Sequence, residues 1–151
     1  MRIRSVVTLL LAGCATAVFA QTPARGTPAD AKALLAKATA HYQKVGRAQA
    51  LADFTAKKPP FVDRDLYVFC IGGEKTVTAH GADPAQVGTD IDTLVDVDGK
   101  HFGTEMWKAG NTPGGGSVEY RWLNPVTRKV EPKISFVQKV GSDICGVGAY
   151  K

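Results

Sequence analysis

The sequence predicts an α+β fold, with a long N-terminal helix packed against one face of an antiparallel sheet of about five strands. Three observations predict it. Apolar residues between positions 28 and 54 recur at helical spacing. From Tyr67 onward, short runs rich in aromatic and β-branched residues alternate with turns marked by Gly, Asn and Pro. The chain has 151 residues, 44% hydrophobic and 22% charged, which suits one domain with its own core and leaves no room for separate cofactor and substrate lobes.

Residues 1–20 read as a secretory signal peptide. Arg2 and Arg4 make the start basic. Residues 6–11 are apolar except for Thr8, and mostly small side chains follow up to Ala20. Gly13, Cys14 and Thr16 interrupt the run, so it is too short and too broken for a membrane-spanning helix. Two processing sites compete. Val18-Phe19-Ala20 before Gln21 suits cleavage after Ala20, which gives a periplasmic or secreted domain. Leu11-Ala12-Gly13-Cys14 resembles a lipoprotein box, in which Cys14 is lipidated and the membrane becomes an anchor. Both place the domain outside the cytoplasm. Residues 21–27 form a polar tether ahead of the domain at 28–151.

The first helix starts at Thr27-Pro28-Ala29-Asp30: Thr27 can cap, Pro28 suits the first helical position, and Asp30 faces the positive end of the dipole. Leu34, Leu35, Ala38, Tyr42 and Val45 give its buried stripe, and Gly46 is a natural break. Ala48, Leu51, Ala52 and Phe54 predict a shorter second helix, stopped by Lys57-Lys58-Pro59-Pro60. Residues 67–71 and 76–80 form a hairpin about the turn Gly72-Gly73-Glu74-Lys75. The stretch 81–110 is mixed, with a helix over 102–108. Strands at 117–122, 133–140 and 144–150 complete the sheet, separated by Asn124-Pro125 and Gly141-Ser142-Asp143.

Cys70 and Cys145 remain once Cys14 is cleaved off or lipidated, and each sits in a predicted strand. Two readings are open: a disulfide closing a loop worth about 4 kcal/mol by chain entropy, or two buried thiols packing as small hydrophobes.

The composition excludes several function classes. Nineteen Lys and Arg against fourteen Asp and Glu give +5, with Arg2 and Arg4 in the leader. The remaining surplus is too small and too spread out to argue for nucleic acid. Asp96-Val97-Asp98-Gly99 with Glu105 follows part of a calcium-loop spacing, but Leu94 stands where the first ligand belongs. His41, His80 and His101 have no paired ligand spacing, so no metal and no cofactor are expected. No nucleophile elbow or phosphate loop appears, and the chain does not read as an enzyme.

A family resemblance gathers these segments. Tyr67-Val68-Phe69-Cys70-Ile71, Thr76-Val77-Thr78-Ala79-His80-Gly81, Asp96-Val97-Asp98-Gly99-Lys100, Tyr120-Arg121-Trp122-Leu123-Asn124-Pro125 and Glu131-Pro132-Lys133-Ile134-Ser135-Phe136-Val137 resemble the extracytoplasmic single Cache domain, type 2. So does the ending Gly146-Val147-Gly148-Ala149-Tyr150, and the likeness runs over about residues 28 to 151. It implies a PAS-like sheet, a pocket on the face away from the long helix, and a small ligand, often a short organic acid. Most domains of that family are the outer part of a chemoreceptor or sensor kinase; this chain reads as signal peptide and sensor module alone, so a partner such as a membrane-bound receptor or a sensor kinase is expected to read the bound state. The alternative is a structural or interaction module of the same compartment with no ligand.

Apart from the resemblance, an organic-acid pocket needs a cation or several hydrogen-bond donors, with aromatic walls. Lys133 opens an apolar strand, where it either faces a ligand or lies at a strand edge in solvent. Tyr120 and Trp122 share a sheet face, as walls or as core, and Arg121 points the other way. Ser135 has the parity of Lys133 and can offer a hydroxyl. Tyr67 and His80 sit on opposite strands of the hairpin, and His80 either donates to a carboxylate, which makes binding pH-sensitive, or is a satisfied structural residue. Phe102, Met106 and Trp107 share a helix face, either as the pocket's cover or as plain core.

Overall fold

The computed structural model describes residues 25–151. The expected signal peptide, both expected processing sites, Cys14 and residues 21–24 of the expected tether lie outside the described residues.

Helix α1 spans Pro28–Val45. Thr27 and Asp30 cap it reciprocally: the Asp30 amide donates to the Thr27 hydroxyl at 3.1 Å, and the Thr27 amide donates to the Asp30 carboxylate at 3.0 Å. These contacts, the backbone bond first, hold the Asp30 carboxyl below its usual range. Ala31, Leu34, Leu35, Ala38 and Tyr42 form the buried stripe. Gly46 breaks the helix at φ 83°, a conformation that glycine enters freely, and helix α2 (Arg47–Thr55) turns back to bury Ala50 and Phe54.

The strands are β1 (Val62–Asp63), β2 (Leu66–Ile71), β3 (Val77–His80), β4 (Gly116–Leu123), β5 (Val130–Val140) and β6 (Asp143–Tyr150). All pairings are antiparallel, in the order β1-β2-β6-β5-β4, with β3 on the same edge of β2 as β1. The sheet therefore has six strands rather than five; the added β1 is two residues long, too short to leave a period in the sequence. Helix α3 runs Phe102–Gly110, two residues past the expected end. The mixed stretch before it contains two single-turn helices, Pro84–Gln86 and Ile91–Thr93, each started by an Asp side chain.

The sheet separates two cores. On one face, α1 and α2 cover Val68, Cys70, Ala79, Cys145, Val147 and Ala149. On the other, the segment from Ile91 through α3 covers Tyr67, Phe69, Ile71, Val118, Tyr120, Val137 and Ile144. The central strand β6 is buried along its whole length, as two covered faces require.

Two devices tie the helix side down. Cys70 and Cys145 are directly opposite in the β2–β6 register and are joined as a disulfide. Buried Asp143 accepts from Tyr42 Oη (2.6 Å), Arg47 Nε (2.7 Å) and Thr78 Oγ1 (2.9 Å), linking α1, α2 and β3 to the start of β6. Burial pushes the Asp143 carboxyl up, but the hydrogen bonds from Arg47, Tyr42 and Thr78 outweigh it and hold the group below its ordinary value. Arg25 and Gly26, assigned to the tether by composition, are pinned: Arg25 bonds Glu131 at 2.9 Å and the Lys151 carbonyl at 2.8 Å, and the Gly26 amide bonds Asp65 at 2.7 Å.

Replacing both cysteines by serine should lower the free energy of unfolding by about 4 kcal/mol, from the entropy of the loop the bond closes. Urea denaturation of the oxidised protein and the double variant checks this, and equal midpoints would exclude a stabilising bond.

Candidate functional site

The face of the sheet opposite α1 carries the candidate site. Alternation places Tyr67 and Phe69 of β2, Lys133 and Ser135 of β5, and Tyr120 and Trp122 of β4 on that face. His80 lies opposite Phe69 in the β2–β3 register and joins them. Leu94 and, from α3, Phe102 and Met106 close the cleft from above. The Phe102 ring stacks on Tyr120 at 4.3 Å between centroids and 11° between planes, and meets Trp122 edge-on at 5.0 Å. The space left inside is about 30 Å³, room for one or two waters.

Lys133 is 1% exposed. Its stem leaves β5, crosses β6 directly over Gly148, and carries the ammonium to β2. A Cβ on Gly148 would stand 2.2 Å from Lys133 Cε and 2.3 Å from Ser135 Oγ, so only glycine leaves this passage open. Nζ donates to Tyr67 Oη at 2.8 Å and to Tyr150 Oη at 3.4 Å. It also lies 4.0 Å and 4.5 Å from the centroids of those two rings. Tyr150 Oη in turn donates a hydrogen bond to the Leu123 carbonyl at 2.8 Å. Among the described residues no carboxylate lies within ion-pair distance of Nζ. Burial therefore drives the Lys133 amine down to about 7, and the more distant charge of Asp65 only partly opposes this. Burial likewise lifts the phenols of Tyr67 and Tyr120 well above their ordinary value.

His80 does not supply the pH sensitivity that its ligand role would bring. The Asp83 amide donates to its Nδ1 at 2.9 Å, so Nδ1 is the acceptor and the ring proton sits on Nε2. Burial, and then the Lys133 charge, push His80 down to about 4. It is a neutral donor at pH 7, and the group that titrates near neutrality is Lys133. His80 stacks on Tyr67 at 4.9 Å.

Tyr67, His80, Tyr120 and Trp122 line the cleft, and Lys133 sits directly behind Tyr67. Ser135 is fully buried and bonds Tyr120 Oη at 2.9 Å. Trp107 is not brought to the cleft; it is half-buried against the same core, because the inward stripe of α3 runs through Phe102, Gly103, Met106 and Gly110. Sequence reasoning missed Tyr150 and Gly148. Tyr150 is opposite Lys133 in the β5–β6 register, and a Gly-x-Gly inside a strand signals a close approach. No three acidic, histidine or cysteine side chains converge as metal ligands among the described residues.

A family model, single Cache domain 2, matches residues 27–142. No curated protein matches the chain. Among solved structures, a methyl-accepting chemotaxis protein from Vibrio parahaemolyticus RIMD 2210633 is similar at 18% identity and TM-score 0.68, over 81% of this chain and 86% of that one. The periplasmic sensor domain of a chemotaxis protein is similar at 24% identity and TM-score 0.59, over 79% and 86%. A Cache chemosensory domain described for carboxylic acid recognition is similar at 24% identity and TM-score 0.59, over 79% and 84%. At these identities the likeness establishes the fold: a PAS-like α+β domain with an N-terminal helix and an antiparallel sheet.

The lysine's depressed basicity fixes a direction for stability. An unfolded chain keeps the Lys133 proton up to about pH 10.4, whereas the folded protein releases it near 7. Between those values the unfolded state holds more protons, so folding is favoured as pH rises and disfavoured as it falls. Urea unfolding at pH 7 and pH 9 should show the wild type gaining about 2 kcal/mol more than Lys133→Met over that interval. Parallel behaviour of the two proteins would mean that the amine is not destabilised by burial.

Proposed function

The chain belongs to the single Cache domain 2 family, and from that premise we propose that it binds a short organic acid in the cleft between sheet and cover and presents the bound state to a partner protein. One observation carries this reading: a fully buried ammonium with only phenol hydroxyls for company, directly behind the aromatic wall of a cleft. A buried cation without a counter-charge is costly, and an incoming carboxylate supplies what the protein lacks. Tyr67, Tyr120, Trp122 and the Nε2 proton of His80 supply wall and donors; Ser135 holds Tyr120, and Trp107 backs the cover without touching the guest.

The narrowness of the empty cleft gives binding a structural consequence. A guest of two to four carbons does not fit in about 30 Å³, so Tyr67, Phe102 and Trp122 must part to admit it. Ligand then favours the parted arrangement of sheet and cover, and a partner such as a membrane-bound receptor or sensor kinase can read that difference. The chemistry is binding alone, with no covalent step and no cofactor. The proposed setting is outside the cytoplasm: residues 1–20 as signal peptide, with cleavage after Ala20 or lipidation at Cys14, would suit a domain whose Cys70–Cys145 bond is formed. No helix among the described residues is long and apolar enough to cross a membrane.

A thermal-shift panel of acetate, propionate, butyrate and pyruvate at millimolar concentration should raise the melting temperature by several degrees for at least one acid. Lys133→Ala should abolish that rise. Silence across the panel would favour the structural module, the reading to which the small cleft volume otherwise points.

The sign of the pH effect follows from the site. A carboxylate binds the charged amine, which in the free protein predominates below about pH 7 and is lost above it. Affinity should fall by about tenfold between pH 6 and pH 8. Titration calorimetry at the two pH values checks this, and equal affinities would remove Lys133 from the ligand's contacts.

A further inference from the structure

Outside the aromatic wall lies a second hollow, of about 300 Å³, that shares Tyr67, His80 and Trp122 with the inner cleft. Two cations line it from different parts of the chain: Lys57, just beyond α2, and Arg128, in the β4–β5 hairpin loop. Neither makes a side-chain hydrogen bond or ion pair to any described residue. Lys57 is close enough for its charge to act on the His80 ring at the boundary of the two hollows. Asp83 is the acid on this wall, and its carboxylate is engaged locally, accepting from the Ala85 amide at 3.1 Å and from Gln86 Nε2 at 3.4 Å. The outer hollow therefore keeps an excess of positive charge facing a space large enough for an organic group, beside a smaller chamber that also has an uncompensated cation behind its wall.

We propose that this vestibule is a second anion site and that the ligand class is a short dicarboxylate, with one carboxylate directed at Lys133 and the other held at the mouth by Lys57 and Arg128. The inference rests on the reading of the inner cleft as an organic-acid site. It goes further by assigning a second charge to the ligand and a role to two residues outside the cleft. A monocarboxylate would leave both outer cations hydrated and contribute nothing there, whereas a second carboxylate gains two charge-assisted contacts. His80 is suited to stand between the two charges: it is neutral, its tautomer is set by the Asp83 amide, and its free proton is on Nε2.

The test compares two acids of equal carbon number, butyrate and succinate, by titration calorimetry at pH 6.5 and constant ionic strength. Wild type should bind succinate about tenfold more tightly than butyrate. In Lys57→Ala/Arg128→Ala that ratio should fall to about one, while Lys75→Ala, which removes a cation elsewhere, should leave the preference in place. Butyrate binding at least as tightly as succinate in the wild type, or a preference that survives the double substitution, overturns the dicarboxylate site and leaves the inner cleft standing. Binding of neither acid to the wild type overturns both.

Discussion

The arrangement depends on one ammonium held out of water with no anion beside it. Lys133 projects from the middle layer of a sheet, lies across its neighbouring strand and ends among phenols. Nothing in folding alone favours this, since a methionine of similar length would fill the same channel without a desolvation cost. The surroundings nevertheless accommodate it in detail. Gly148 clears the path, Tyr67 and Tyr150 accept its hydrogen bonds and present ring faces, and the Leu123 carbonyl accepts from Tyr150 in turn. Tyrosine suits this position because it can solvate a cation weakly without neutralising it, which leaves the electrostatic demand that the proposed acid would meet.

The two faces of the sheet divide the work. On the helix side, α1, α2, the disulfide and the Asp143 hub tie β2, β3 and β6 together through covalent and charge-assisted contacts. On the site side, the cover is held chiefly by apolar and aromatic packing, with Phe102 stacked on Tyr120 and edge-on to Trp122. Packing of that kind can be redistributed at lower cost than a buried ion pair or a covalent bond. The helix face is thus the more firmly tied of the two, as the proposed parting of sheet and cover requires.

Much of the fold was legible because it rests on local signals. The Thr27–Asp30 cap, the Gly46 break and the 72–75 turn are short-range chemistry, and all sit where the residues indicate. β1 escaped because two residues carry no period, and the Asp83 and Asp90 caps escaped because single-turn helices have none either. The site was legible in part: strand parity correctly aligned Tyr120 with Trp122 and Lys133 with Ser135. Parity says nothing about neighbours two strands away, so the reach of Lys133 over Gly148 to Tyr67, and the place of Tyr150, required the β5–β6–β2 register. For His80 the residues left a ligand role and a structural one open: its sequence neighbours do not reveal that burial and a nearby cation keep it neutral, shifting the titration near pH 7 from the imidazole to the lysine.

The most direct measurement follows the Lys133 side chain itself by heteronuclear NMR, titrated with and without saturating propionate. The free protein should show an amine that titrates near about 7, and the complex one raised by at least about two units, as a paired ammonium requires. A lysine that titrates near its solution value in the free protein, or one unmoved by the acid, would contradict the account.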